Sequence, residues 1–210
     1  MAQLSPSEVV TLWKKYSTDI PARFALGSAY HESHYNPGEN DIGDQPNQAD
    51  STSYGLYQLN RTEQAAALVF GDLNDADTNT KVFAAVQATR LAAIRAASGG
   101  DDHGDDVWAY LGMSHNMGLG STLKTIAQHG LDWQAYKDRN PDLKFVTGGY
   151  GDDCISGGPD WSNDFDSINS PSGGAGAGTD LILKYLLLAG AAFLLWNIAN
   201  GREPLAGIGV

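Results

Sequence analysis

The chain has 210 residues, room for one core domain with extensions, and a formal net charge of −12 at pH 7. Neutralising nucleic-acid phosphates takes basic patches that this composition lacks, so no nucleic-acid partner is expected; an anionic lipid surface would also repel the chain unless an apolar segment held it there. The single cysteine, Cys154, excludes an internal disulfide, and the opening MAQLSPSEVV lacks the basic-then-apolar order of a secretory leader.

The first predicted helix starts at Ser5-Pro6-Ser7-Glu8, where Ser5 can cap, Pro6 suits the first turn and Glu8 completes a capping box. Val9, Val10, Leu12, Trp13 and Tyr16 give it an apolar face. Asp19 as cap and Pro21 in the first turn predict a second helix. Its small residues Ala25, Gly27, Ser28 and Ala29 allow close packing, and Asn36-Pro37-Gly38 ends it. Glu32 then falls near the negative end of the helix dipole, half-buried beside apolar neighbours. Both factors disfavour its charged form and should raise its pKa, as a general acid requires. A lone Glu near a helix end is ordinarily a solvated surface group, so its company has to carry the reading.

The turn-rich loop that follows holds Glu39, Asp41, Asp44 and Asp50 before the compact group Ser53-Tyr54-Gly55-Leu56-Tyr57-Gln58. Two metal readings fail on spacing. His31-Glu32-Ser33-His34 has one residue where the zinc-protease motif needs two between Glu and the second His. Asp75-Ala76-Asp77-Thr78-Asn79 opens like a calcium loop but has Thr80 and Val86 where Gly and Glu belong. No metal and no cofactor are expected. Thr78 instead reads as the cap of a helix from Thr80 to Ala97, and Gly99 to Asp106 as a solvated loop. Val107 to Leu119 predicts a further helix that buries Trp108, Leu111 and Met113; Ser121 to Gly130 continues helically, and Trp133, Tyr136 and Asn140-Pro141 close the domain, taken as residues 1–145.

Residues 146–178, with their Gly-Gly and Gly-Pro pairs and the run from Ser170 to Gly178, read as a linker, part of which Tyr150, Trp161 and Phe165 would dock onto the core. Residues 179–200 contain LILKYLLLAGAAFLLWNIA, about long enough to span a bilayer at ~1.5 Å per residue, with Lys184 placed to snorkel and Trp196 suited to an interface. The segment is expected to lie in a membrane or among virion proteins, followed by a short tail over 201–210.

Glu32-Ser33-His34-Tyr35-Asn36, then Ser53-Tyr54-Gly55-Leu56-Tyr57-Gln58, then His115-Asn116-Met117-Gly118 resemble, in that order, the catalytic region of the lytic transglycosylases and goose-type lysozymes. The resemblance covers roughly residues 5 to 140. It implies a mostly α, lysozyme-like domain with a cleft between helical lobes, and peptidoglycan glycan strands as substrate. Glu32 is the implied acid, and Ser33, Tyr54, Gly55, Gln58, His115 and Asn116 the implied substrate-side residues. A lytic transglycosylase needs no second carboxylate: its Glu protonates the bond between N-acetylmuramic acid and N-acetylglucosamine, then takes the proton of the sugar's own 6-hydroxyl to close a 1,6-anhydro ring. Goose-type lysozymes place aspartates in the corresponding loop and hydrolyse, which keeps Asp41, Asp44 and Asp50 as candidate second carboxylates. The sequence departs from the family at His115, where a tyrosine is usual; a histidine there titrates near neutral pH. A wall-cutting domain with a C-terminal anchor and no leader suggests a bacteriophage virion component that meets the wall during genome entry. A wall-binding or structural virion protein without activity is the alternative from another class.

Overall fold

The computed structural model describes residues 2–41, 52–100, 104–140 and 147–168. The chain divides into two units, Met1–Gly173 and Gly174–Val210, and every described residue lies in the first. The expected apolar segment at 179–200, the tail at 201–210 and the end of the linker therefore lie outside the described residues. Among the described residues no helix is long and apolar enough to cross a membrane.

The protein is mostly α. Its described helices are α1 (Pro6–Tyr16), α2 (Ala22–Ser33), α3 (Arg61–Ala67), α4 (Ala76–Ala97), α5 (Asp106–Asn116), α6 (Leu119–His129), α7 (Trp133–Arg139) and α8 (Thr147–Ser156), with a 3-10 turn at Asn163–Ser167. A two-residue antiparallel ladder joins β1 (Asn40–Asp41) to β2 (Ser53–Tyr54), pairing Asn40 with Tyr54 and Asp41 with Ser53.

Capping decides the helix starts. At α1 the expected box forms: the Glu8 carboxylate accepts from the Ser5 amide at 2.7 Å, and Ser5 Oγ from the Glu8 amide. Two other expected caps are corrected. Helix α2 begins after Pro21 with no side-chain cap, so Asp19 does not serve; a proline already removes one orphan donor of the first turn. Helix α4 starts at Ala76, because Asp75 takes the Thr78 amide at 2.9 Å, and Thr78 becomes part of the helix. Helix α5 stops at Asn116, and Gly118 at φ 84° turns the chain into α6.

The core is aromatic at its centre. Phe83 of α4 stacks on Tyr57 at 4.0 Å and on Phe24 of α2 at 5.9 Å, while Trp13 of α1 tilts against Phe83 and donates its indole N–H to the Ile20 carbonyl. Helix α2 is buried over Phe24–Ala29 and lies against α1 on one side and α8 on the other; α8 also packs on α5.

Helix α8 overturns the domain boundary at 145. Glycines set the close packing around it: a Cβ on Gly27 of α2 would overlap the Asp153 carbonyl, one on Gly112 of α5 would press on Cys154 and the Tyr150 ring, and one on Gly151, within the expected linker, would strike Trp133. Tyr150 and Cys154 are fully buried as a result. Beyond α8 the chain is fastened to the domain, not free. Tyr35 donates its hydroxyl proton to Asp160 at 3.0 Å, and Lys14 Nζ donates to the carbonyls of Phe165 and Ile168 at 2.7 and 2.8 Å. Since α2 and α8 meet backbone to backbone, Gly27→Ala should destabilise the protein by about 1–3 kcal/mol, the usual cost of overpacking; denaturant unfolding followed by circular dichroism measures it.

Candidate functional site

Glu32 is the penultimate residue of α2, which ends because His34 and Tyr35 both adopt left-handed backbone, at φ 50° and 66°. Two consecutive non-glycine residues there cost about 1–2 kcal/mol each. The turn puts Tyr35 inside, 4 % exposed, and leaves His34 outside. Glu32 then faces an open polar cleft of about 400 Å³, lined by Gln3, Glu32, Ser33, His34, Asn36 and Glu39.

The Ser53–Gln58 group forms a tight turn against this end of α2. Ser33 Oγ donates to the Leu56 carbonyl at 2.8 Å, so its hydroxyl ties helix to turn. Asn79, fully buried on α4, holds the other side: its Oδ1 accepts from the Tyr57 amide at 3.0 Å, and its Nδ2 donates to the carbonyls of Tyr54 and Leu73 at 2.9 and 2.8 Å. Gly55 sits at φ 73°, where a Cβ would collide with Leu73 and Asn79, so its lack of a side chain serves this packing. Gln58, at φ 47°, donates to the Gly55 carbonyl at 2.8 Å and leaves its Oε1 buried without a hydrogen-bond partner. Tyr54 is half-buried with the Arg61 guanidinium over its ring.

His115 reaches the site from the last turn of α5, with its side chain 5 % exposed. Its Nε2 lies 3.0 Å from the Tyr57 carbonyl and 3.6 Å from Glu32 Oε1; its Nδ1 lies 3.0 Å from Arg90 Nη1 and 3.5 Å from Glu63 Oε1. Asn116, next along, is exposed at the end of α5. Tyr150 completes the surroundings from α8. Its ring meets His31 edge-on at 4.7 Å and His115 at 6.3 Å, and its buried hydroxyl interacts with Glu32 without forming a hydrogen bond of good geometry. Such contacts often tighten only when substrate arrives.

Burial raises the Glu32 pKa above the ordinary carboxylate value, and the Glu63 charge adds to the effect; His115, the Tyr150 hydroxyl and His31 oppose it but do not cancel it. Glu63 goes the other way. Burial alone would raise its pKa, but His115, Arg90 and the Asn60 amide bring it down to about 2. His115 is held above the usual imidazole value: desolvation favours the neutral ring, and Glu63 and Glu32 outweigh it. Two carboxyls of one site thus have opposite shifts, the pattern that separates a proton donor from a fixed charge.

Of the sequence-predicted residues, the structure brings Glu32, Ser33, the Tyr54–Gln58 turn and His115 together. The Asp41 backbone belongs to β1, while its side chain and all of Asp44 and Asp50 lie outside the described residues. The carboxylate that shares the cleft is Glu39, which accepts from Asn36 Nδ2 at 2.8 Å. Glu63, Arg90, Asn79 and Tyr150 were missed as site residues. Glu63 had one local signal, a capping box with Asn60, and the structure forms that box at the start of α3. Arg90 and Tyr150 had none, because only helix packing delivers them.

No protein-family model matches the chain, and neither a curated protein nor a solved structure matches it.

A carboxyl whose pKa rises on folding leaves stability intact below its unfolded value and costs stability as pH rises through the folded one. Glu32→Gln should therefore leave stability unchanged near pH 3 and raise it at pH 7, as thermal unfolding at the two pH values reports. Equal effects at both would contradict a raised Glu32 pKa.

Proposed function

We propose that this chain is a lytic transglycosylase of lysozyme-like fold that cleaves the β-1,4 bond between N-acetylmuramic acid and N-acetylglucosamine in peptidoglycan. The observation that carries the reading is Glu32: a carboxyl whose pKa burial raises, at the mouth of an open polar cleft, beside the turn formed by the second motif. In the first step the Glu32 proton passes to the glycosidic oxygen as the C1–O bond breaks. In the second the Glu32 carboxylate takes the proton of the muramic acid 6-hydroxyl as O6 bonds to C1, giving the 1,6-anhydro sugar and restoring the acid. Gln58 and Asn116 are the proposed sugar-binding groups, with Tyr54 at the turn. The apolar segment at 179–200 fits a virion protein that opens the wall for genome entry.

Purified peptidoglycan incubated with the protein should release fragments with anhydromuramic ends, read by mass spectrometry. Glu32→Gln should cut that rate by roughly a hundredfold or more. Folded protein that releases no fragments would instead favour a wall-binding or structural module.

Glu39 supports a second reading. As a carboxylate lining the same cleft, it could activate water and make the enzyme a hydrolase. In that case fragments would carry reducing ends and Glu39→Gln would abolish them; under the transglycosylase reading Glu39→Gln leaves the anhydro product and costs less than about tenfold in rate.

A further inference from the structure

Behind Glu32 the structure buries three more ionisable groups in a row. Glu63 Oε1 pairs with Arg90 Nη2 at 2.8 Å, both side chains about one-seventh exposed, and the two converge on His115 Nδ1. The far nitrogen, Nε2, points to the Tyr57 carbonyl and to Glu32. Phe83 closes the site with its ring edge-on to the imidazole at 5.2 Å. Three helices and a turn contribute one member each, so the row exists only in the folded molecule.

This arrangement supplies partners for both charge states of the ring. In neutral His115 the Nε2 proton is donated to the Tyr57 carbonyl, and Nδ1 accepts from Arg90. In the imidazolium Nδ1 becomes a donor, for which Glu63 Oε1 is the anionic neighbour at 3.5 Å, while Nε2 keeps Tyr57 and gains Glu32. A buried imidazole with a fixed acceptor and a fixed donor on one side is held in orientation while its charge changes.

We propose that Glu63 and Arg90 are positioning residues for Glu32 and act through His115: they grip Nδ1, aim Nε2 at the Glu32 carboxyl, and set the charge that the acid meets when it gives up its proton. The inference rests on the reading of Glu32 as the reacting acid. Between the two steps of that reaction Glu32 is an anion at the inner wall of the cleft, and His115 Nε2 lies 3.6 Å from its Oε1. The Glu63–Arg90 pair itself sums to no net charge, so it can tune the imidazole without adding to the charge of the site. Other titratable groups facing Glu32 are His31 on its own helix and Tyr150 on α8, with Cys154 behind; Asp153 is occupied by His31 at 3.3 Å.

The row makes signed predictions. Glutamine at position 63 still completes the capping box with Asn60, so Glu63→Gln removes the charge and spares the helix start. In the full chain, held in detergent, the titration midpoint of the His115 ring followed by NMR should fall in Glu63→Gln, fall in Glu32→Gln and rise in Arg90→Gln. General damage to the site would move all three the same way. On peptidoglycan, Glu63→Gln should lower kcat by roughly tenfold or more with KM within about twofold, and should move the alkaline limb of the pH profile to lower pH. A His115 midpoint that ignores Glu63→Gln and Arg90→Gln, or that shifts in the same direction in both, overturns the proposal, as does an unchanged pH profile. Failure of the wild-type protein to cleave glycan sinks the functional reading instead, and the titrations still decide whether the row controls His115.

Discussion

The close approach of α2 to α8 is the constraint on which the rest of this domain depends. Helix α2 carries the acid, and it can lie in the centre of the fold because Gly27 and its small neighbours let a second backbone come against it. The same economy recurs at Gly112 on α5 and Gly151 on α8. At Gly27 a backbone fills the space a side chain would take, while Gly112 makes room for Cys154 and Tyr150 and Gly151 for Trp133. Glu32, His115 and Tyr150 meet among these helices, so the packing that buries α2 also desolvates one side of the carboxyl.

Burial of ionisable groups is costly unless each has a partner, and the site meets that cost in two ways. Glu63 and Arg90 neutralise each other in a good ion pair, extended by the Asn60 amide. Glu32 has only the His115 ring, at 3.6 Å, for a charged neighbour of opposite sign, and burial leaves its pKa raised. His115 lies between the two regimes. Its two ring nitrogens link the Glu32 carboxyl to a charged pair on two other helices.

Much of the local structure was legible from the residues. The Ser5–Glu8 box and the apolar face of α1 follow from short-range rules, and so does the close of α2 before Pro37. The placement of Glu32 at a helix end, and hence the direction of its shift, needed only the helix boundary and its apolar neighbours. Errors arose where one residue type can do two jobs. Asp and Thr are both cap-forming types, and the choice of Asp75 over Thr78 turned on a single turn of register. The glycines of residues 147–158 read as linker because glycine lowers local order in isolation; at Gly151 against Trp133 and Gly157 against Trp161 it permits contact.

The sequence by itself determined that the chain is mostly helical, that Glu32 ends an apolar helix, and that a tight glycine-bearing turn follows it, since each depends on residues within a few positions of one another. Only the tertiary structure decided which groups surround that carboxyl. Glu63, Arg90, His115 and Tyr150 sit on four helices and are separated by up to 87 positions in the chain. Their meeting is set by how α3 packs on α4, α4 on α5, and α5 and α8 on α2, and no periodicity or cap encodes that packing. Chemistry that depends on burial and on charge at 3–4 Å is a property of packing.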